Sequence, residues 1–122
     1  MKPEVRFHIY DRGNHTELAI GPGKVALLEA IDQTGSITAS AKLLGMSYRR
    51  AWLLVDETNR CLVRPAVQTI AGGPRGGGAS LTAAGVELVR RYRELERQTG
   101  LAVTKNLRPL LRNVPRTVRG KN

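Results

Sequence analysis

Residues 36–59 constrain the fold more than any other part of the chain, because two short helical patterns lie there with a break of only three residues between them. Ser36 is a favourable N-cap for the first helix. The apolar positions of that helix follow i, i+4 and i+7 spacing, as Ile37, Ala41 and Leu44. In the break, Gly45 can adopt the left-handed conformation that a tight turn needs, and Ser47 caps a second helix that is predicted to end near Asn59. Two helices joined in this way predict a helix-turn-helix.

The second helix has a predicted inner face and a predicted outer face. The inner face comprises Ala51, Val55 and Thr58. The opposite side comprises Arg49, Leu53 and Asp56, with Arg50 on the flank. Trp52 is expected in the core beside Ala51 and Val55, whereas the Tyr48 ring can equally point inward or bring its hydroxyl to a phosphate. In a helix-turn-helix the second helix enters the major groove of DNA by its N-terminal end, and here that end carries two arginines.

The flanking segments complete a winged helix. An amphipathic helix is predicted over residues 24–34, where Gly35 ends it. Before it, residues 5–10 predict a strand with Val5, Phe7 and Ile9 on one face, and residues 11–15 predict a turn. Residues 4–20 are therefore predicted to form a hairpin. Residues 66–70 predict another strand, and the glycine-rich loop segment 71–81 follows it. A strand, a glycine-rich tip with a basic residue and a return strand would together form a wing.

Thr82 caps a long helix that is predicted from Ala83 to about Val103. The expected fold is therefore mainly α with small β hairpins: a winged helix-turn-helix followed by a long C-terminal dimerisation helix. The expected organisation is an N-terminal hairpin, a winged helix-turn-helix, a long helix and a basic tail, over residues 1–20, 21–81, 82–104 and 105–122.

The charge of the chain favours a polyanionic partner. Twenty basic residues face ten acidic ones, for a formal net charge of +10. Residues 1–99 hold fourteen basic and ten acidic groups, and residues 100–122 hold six basic groups and no acidic one. Neutralising phosphates with lysine and arginine releases counterions, and this release favours binding to a polyanion. Charge alone does not distinguish DNA from RNA or an anionic membrane, and the tail is compatible with both a solubilising role and a phosphate-contacting one.

Two motifs resemble a known family. They are Ser47-Tyr48-Arg49-Arg50-Ala51-Trp52 and Gly72-Gly73-x-x-Gly76-Gly77-Gly78-x-x-Leu81-Thr82. Together they resemble the N-terminal DNA-binding domain of the molybdate-responsive regulator ModE, a winged helix of the LysR-like type, over about residues 24–98. The resemblance implies a dimeric transcription factor whose recognition helix starts at Ser47, whose wing is glycine-rich and whose long helix contributes to dimerisation. Molybdate binding is not expected, because the chain has no room for the family's second, molybdate-binding region.

The candidate residues follow from the motif and the resemblance together. The candidate DNA contacts are Ser36, Ser47, Tyr48, Arg49, Arg50 and Arg75. The candidate wing glycines are Gly72, Gly73, Gly76, Gly77 and Gly78. The candidate dimerisation residues are Val89, Tyr92 and Leu95.

Other kinds of site are not expected. His8, His15 and Cys61 have no recognised zinc spacing, and the glycine-rich loop lacks the Gly-Lys-Ser/Thr of a nucleotide-binding loop. The carboxylates are scattered or paired with arginine, so no catalytic site, metal or cofactor is predicted. No apolar run approaches the roughly 18 residues of a membrane span, and a single cysteine is consistent with a cytoplasmic protein.

Two alternative functions stay open at this point. The hairpin or the long helix could bind another protein, which would make the chain an adaptor on a winged-helix scaffold. The chain could also be a basic protein that binds nucleic acid without sequence preference. RNA is the weaker possibility, because the sequence lacks paired aromatic residues on a sheet.

Overall fold

The computed structural model of the protein describes residues 4–10, 18–71 and 78–111. The elements follow the order β1 (Ile9–Tyr10), β2 (Leu18–Ile20), α1 (Pro22–Thr34), α2 (Ile37–Leu44), α3 (Tyr48–Cys61), β3 (Val67–Ile70), β4 (Gly78–Leu81) and α4 (Ala83–Leu107), with a 3-10 turn at Arg108–Leu110. Strand β1 pairs with β2 and strand β3 pairs with β4, both antiparallel. The predicted fold class, a winged helix-turn-helix with a long C-terminal helix, is confirmed.

Two glycines end the first two helices. Gly35 and Gly45 have φ angles of 71° and 70°, the left-handed region that strains other residues. The N–H of Gly35 donates to the Ile31 carbonyl at 2.8 Å, and the N–H of Met46 donates to the Ala41 carbonyl at 2.9 Å. These bonds satisfy carbonyl groups that a helix C-terminus leaves open. The predicted turn at residues 45–47 is confirmed.

Two serines begin the next two helices. The Ser36 Oγ accepts a hydrogen bond from the Ala39 N–H at 3.0 Å, and the Ser47 Oγ accepts one from the Arg50 N–H at 3.0 Å. Each serine lies in extended backbone just before its helix, which is the geometry of an N-cap. Both predicted caps are confirmed, so the chain direction is set on both sides of the turn.

The main core joins α1, α2 and α3 to the two wing strands. Its buried members are Leu27, Leu28, Ile31, Ile37, Ala41, Ala51, Leu54, Val55, Ala66, Val67 and Ala79. The predicted inner face of α3 is buried at all three positions, and Leu54, which was not predicted there, joins it. Leu44 was predicted to face inward but is 37% exposed, because it is the last residue of α2 and the chain turns away at Gly45.

The wing strands differ from the sequence expectation. Strand β4 occupies residues 78–81, which were predicted as loop, and pairs residue by residue with β3 from Val67↔Leu81 to Ile70↔Gly78. A Cβ added at Gly78 would lie 3.4 Å from the Gly35 carbonyl oxygen, and the Ala79 N–H donates to that same oxygen at 2.9 Å. Small residues therefore let β4 run close to the turn after α1. Gly78 belongs to the strand, and residues 72–77 lie outside the described part.

The N-terminal hairpin is shorter than predicted. The expected strand over residues 5–10 forms only at Ile9–Tyr10, and its pairing with β2 shifts register between those two residues. Val5 and Phe7 are half-buried as predicted, but Ile9 is 44% exposed instead of facing inward. The register shift interrupts the two-residue alternation, which explains the change of face. The predicted turn at residues 11–15 lies outside the described residues.

Helix α4 continues beyond its predicted end. It reaches Leu107 and is followed by the 3-10 turn, so residues 105–110 are helical and do not form a loose tail.

Tyr92 of α4 is the centre of a second core cluster. It is 2% exposed, stacks on the Phe7 ring at 4.5 Å between centroids, and its hydroxyl donates to the Phe7 carbonyl at 2.7 Å. Ile20 and Val25 complete this second cluster. None of the helices in the described part of the chain is both long and apolar enough to cross a bilayer.

Candidate nucleic-acid interface

Helix α3 presents a continuous outer face opposite its buried one. Residues three and four apart lie on the same side of a helix, so the buried Ala51, Leu54, Val55 and Thr58 define the inner side. The outer side is formed by Arg49, Trp52, Leu53, Asp56 and Arg60. Asp56 and Arg60 are paired there, with 3.1 Å between Oδ2 and Nε. As the second helix of the helix-turn-helix, α3 is the candidate recognition helix.

The first turn of α3 is exposed and basic. Ser47, Tyr48, Arg49 and Arg50 all lie at the surface, and Tyr48 is 53% exposed. The ring of Tyr48 therefore does not pack inward. The open N–H groups and the dipole of a helix N-terminus attract anions such as phosphate. Two guanidinium groups and a helix N-terminus at one place make a surface that is suited to DNA.

The arginines of α3 differ from those of α4 in their partners. Within the described part of the chain, Arg49 and Arg50 form no ion pair. On α4, each of four arginines contacts a glutamate at 2.6–2.7 Å, namely Arg90, Arg91, Arg93 and Arg97. An arginine that is already paired with a glutamate attracts a phosphate less strongly, because its charge is partly neutralised. Among the described residues, Arg49 and Arg50 at the start of α3 are therefore available to bind a polyanion.

The glutamates of α4 are held in the charged state by these arginines. Hydrogen bonds from Arg90 and then Arg91 lower the pKa of Glu87 to about 2. Hydrogen bonds from Arg97 and then Gln98 lower the pKa of Glu94 to about 2. These pairs are exposed and are screened by salt, so they stabilise the surface of α4 modestly.

Trp52 was predicted to lie in the core, and that prediction is wrong. The side chain is 46% exposed on the outer face of α3. Trp52 follows Arg49 by three residues, so the same helical spacing that puts Arg49 outside also puts Trp52 outside. The core position next to it is filled by Ala51, and Leu54 provides the bulk that the tryptophan was expected to supply.

Two contacts hold the recognition helix in place. The Lys24 side chain of α1 is 3% exposed, and its Nζ lies 3.3 Å from the Glu57 Oε1 of α3. Asn59 joins α3 to the wing: its Oδ1 accepts from the N–H groups of Ala66 and Val67 at 2.8 and 3.1 Å, and its Nδ2 donates to the Val67 carbonyl at 3.2 Å. Neither role could be read from the sequence, where both residues have the pattern of solvated helix positions.

The remaining candidate residues are distributed over several places. Ser36 uses its hydroxyl oxygen as a cap and accepts at its carbonyl from Thr34 and Ser40 at 3.0 and 2.7 Å, so it stabilises the turn between α1 and α2. Arg75 and the wing glycines Gly72, Gly73, Gly76 and Gly77 lie outside the described residues. No group of three or more metal-binding side chains occurs among the residues that the structure covers.

The candidate dimerisation residues do not share one environment. Val89 is half-buried against both core clusters, and Leu95 is 46% exposed. Tyr92 was predicted to face a partner, but it is enclosed within its own chain by Phe7 and α1. Because the side chain is already covered, Tyr92 is removed from the candidate dimer surface. Exposed leucines lie further along α4, at Leu101 and Leu107.

These elements define a winged helix-turn-helix, and comparison with known proteins indicates which relatives it resembles. The chain is 46% identical over 81 residues to the molybdenum-pterin-binding protein MopB of Rhodobacter capsulatus, covering 66% of this chain and 30% of that protein. It is 45% identical over 73 residues to the molybdenum transport protein ModE of Herbaspirillum seropedicae, covering 60% and 27%. It is 38% identical over 76 residues to the DNA-binding transcriptional dual regulator ModE of Escherichia coli K12, covering 62% and 29%.

The resemblance to the ModE family is therefore confirmed, over a region consistent with its N-terminal DNA-binding domain. The chain spans less than a third of the length of these relatives. No protein-family model matches the chain. Among solved structures, ArgP from Mycobacterium tuberculosis is similar at a TM-score of 0.46 and 23% identity, covering 71% of this chain and 29% of that one.

Proposed function

We propose that this chain binds double-stranded DNA in a sequence-specific manner as a homodimeric transcriptional regulator, using α3 as its recognition helix. The observation that carries the proposal is the exposed pair Arg49 and Arg50 at the start of the second helix of a helix-turn-helix, with no ion pair inside the described chain. The similarity to a protein named as a DNA-binding transcriptional regulator supports it. In this proposal the chain acts in the cytoplasm by binding DNA and catalyses no reaction.

Each residue has a proposed task. Arg49 points outward in the first turn of α3, where a guanidinium can form two hydrogen bonds to guanine O6 and N7 in the major groove. Arg50 on the flank and Ser47 at the N-terminus contact phosphates. Arg75, which the sequence places between β3 and β4, is proposed to contact the DNA backbone or the adjacent groove. This division predicts that base recognition depends mainly on one arginine and that the others position the helix.

The proposed dimer would form along α4. Its second half carries exposed leucines at Leu95 and Leu101, and the helix extends 25 residues, about 37 Å at 1.5 Å per residue. A helix that exposes apolar side chains beyond its own core can bury them against a second copy. A two-fold dimer would place two recognition helices in successive major grooves about 34–36 Å apart.

Selection of bound sequences from a random duplex pool, at near-physiological salt, tests the proposal. An imperfect inverted repeat with half-sites about one helical turn apart would support sequence-specific binding and the dimer together. A single asymmetric site would retain the DNA function and remove the dimer. If no sequence is enriched while a protein partner is captured on α4, the chain is an adaptor and the proposal is wrong.

A further inference from the structure

Two bulky apolar side chains lie in water on the outer face of the recognition helix. Trp52 is 46% exposed and Leu53 is 37% exposed. They follow Arg49 by three and four residues, which places all three on one side of α3. The buried side of the helix is already filled by Ala51 and Leu54 among others. The described contacts therefore leave the outer parts of Trp52 and Leu53 available to a partner.

The charges around this pair favour DNA as that partner. Arg49 precedes it without an ion pair in the described chain, and the Asp56–Arg60 pair follows it on the same face. An apolar protein surface placed here would desolvate Arg49 and offer it no counter-charge, which is costly. The major groove offers acceptors and phosphates to the arginine, and it also exposes one apolar group, the C5-methyl of thymine.

We propose that Trp52 and Leu53 are specificity-determining residues that contact thymine C5-methyl groups in the major groove. The inference rests on the proposed function and deepens it, because it adds a base preference to the arginine contact. Three to four residues along a helix correspond to about 4.5–6 Å, and one base pair rises about 3.4 Å. The thymines contacted by Trp52 and Leu53 therefore lie about one or two base pairs from the base that Arg49 contacts.

Replacement of thymine by deoxyuridine tests this contact one methyl group at a time. The substitution removes the methyl and leaves the hydrogen-bonding edge of the base unchanged. Each thymine of the selected site is replaced in turn, and affinity is measured by fluorescence anisotropy with the full chain. A buried methyl contributes enough for about a fourfold loss of affinity. We expect that loss at one or two positions in each half-site.

Variants then assign the methyl contact to a side chain. In Trp52→Ala or Leu53→Ala, the uridine substitution that weakens the unaltered protein should have no further effect, because the partner of the methyl is already gone. Leu43→Ala, which truncates a leucine that is 61% exposed on α2, should keep the full fourfold effect. Circular dichroism confirms that each variant is folded, and the experiment with the unaltered protein does not depend on any variant.

The outcomes separate the inference from the function it rests on. A specific site whose affinity is unchanged by every uridine substitution overturns the inference and leaves the regulator intact. A methyl effect that persists in both variants also overturns it. A chain that enriches no duplex at all overturns the proposed function, and the inference falls with it. A fourfold loss that disappears in either variant supports the contact.

Discussion

The hydrogen bonds that join Asn59 of α3 to the start of the wing give the sharpest prediction about stability. The Asn59 side chain makes three hydrogen bonds to the backbone of Ala66 and Val67, at 2.8, 3.1 and 3.2 Å. Ala66 is fully buried and Val67 is 4% exposed. Asn59→Ala removes all three bonds at once and leaves two N–H groups and a carbonyl in a largely buried place.

The expected cost follows from those three groups. A buried polar group without a partner costs about 1–3 kcal/mol. Water can enter the space that the shorter alanine leaves, and it recovers part of the loss, so Asn59→Ala should reduce the free energy of unfolding by about 2–4 kcal/mol. Asn59→Asp keeps an oxygen for the two N–H groups but turns its second oxygen towards the Val67 carbonyl. We expect it to cost about 1–2 kcal/mol.

Urea unfolding followed by circular dichroism measures both values. Asn106→Ala serves as the matched control, because Asn106 is exposed on α4 and makes one bond, to the Ala102 carbonyl at 2.7 Å. Its effect should stay within about 0.5 kcal/mol. If Asn59→Ala is as mild as Asn106→Ala, the asparagine does not hold the wing to the recognition helix, and the account of their fixed relation is refuted.

Three further predictions concern α4. Gly85→Ala places a Cβ against the Ala66 carbonyl oxygen and 3.0 Å from the carbonyl carbon. Although alanine has the better helix propensity, this contact should lower the free energy of unfolding by about 1–3 kcal/mol. A higher urea midpoint for Gly85→Ala would contradict this packing. Tyr92→Phe loses the 2.7 Å bond to the Phe7 carbonyl and should cost about 0.5–1.5 kcal/mol in the same assay, whereas no change would mean that water replaces the hydroxyl. The hydrogen bond from Arg90 lowers the pKa of Glu87 to about 2 from its ordinary value of 4.5. A lowered folded-state pKa adds stability above about pH 4.5, and this stability is lost as the pH falls towards 2. The urea midpoint should therefore drop over that range, and the drop should be smaller in Glu87→Gln and in 1 M salt. An equal drop in Glu87→Gln would refute the pairing of Glu87 with Arg90 and Arg91.

Local chemistry explains which parts of the fold could be predicted. The turn at residues 45–47 depends on a left-handed glycine and a serine cap, and both act within four residues of themselves. Tyr92 could not be predicted in the same way, because its partner Phe7 is 85 residues away in the sequence. A return strand is expected in the wing, but its position at residues 78–81 could not be predicted, because its glycine and alanine resemble a loop until the neighbouring turn at Gly35 is known.

The candidate site was predicted in outline but not in its details. The position of the two arginines followed from the motif, and the structure places both at the surface. The error at Trp52 came from assigning a large apolar residue to the core by its type, whereas its spacing from Arg49 indicates the outer face. Asn59 was missed because a side chain that binds a distant backbone has no periodic pattern in the sequence.

The affinity of Arg49→Ala for the selected duplex and for a random duplex tests the central claim most directly. Arg97→Ala is the control, because it removes the same charge from an arginine that is paired with Glu94 on α4. We predict that Arg49→Ala weakens binding to the selected duplex by about 1–3 kcal/mol and relaxes the preference at one base pair, while Arg97→Ala changes neither. Equal, small effects of both variants on both duplexes would contradict recognition by α3.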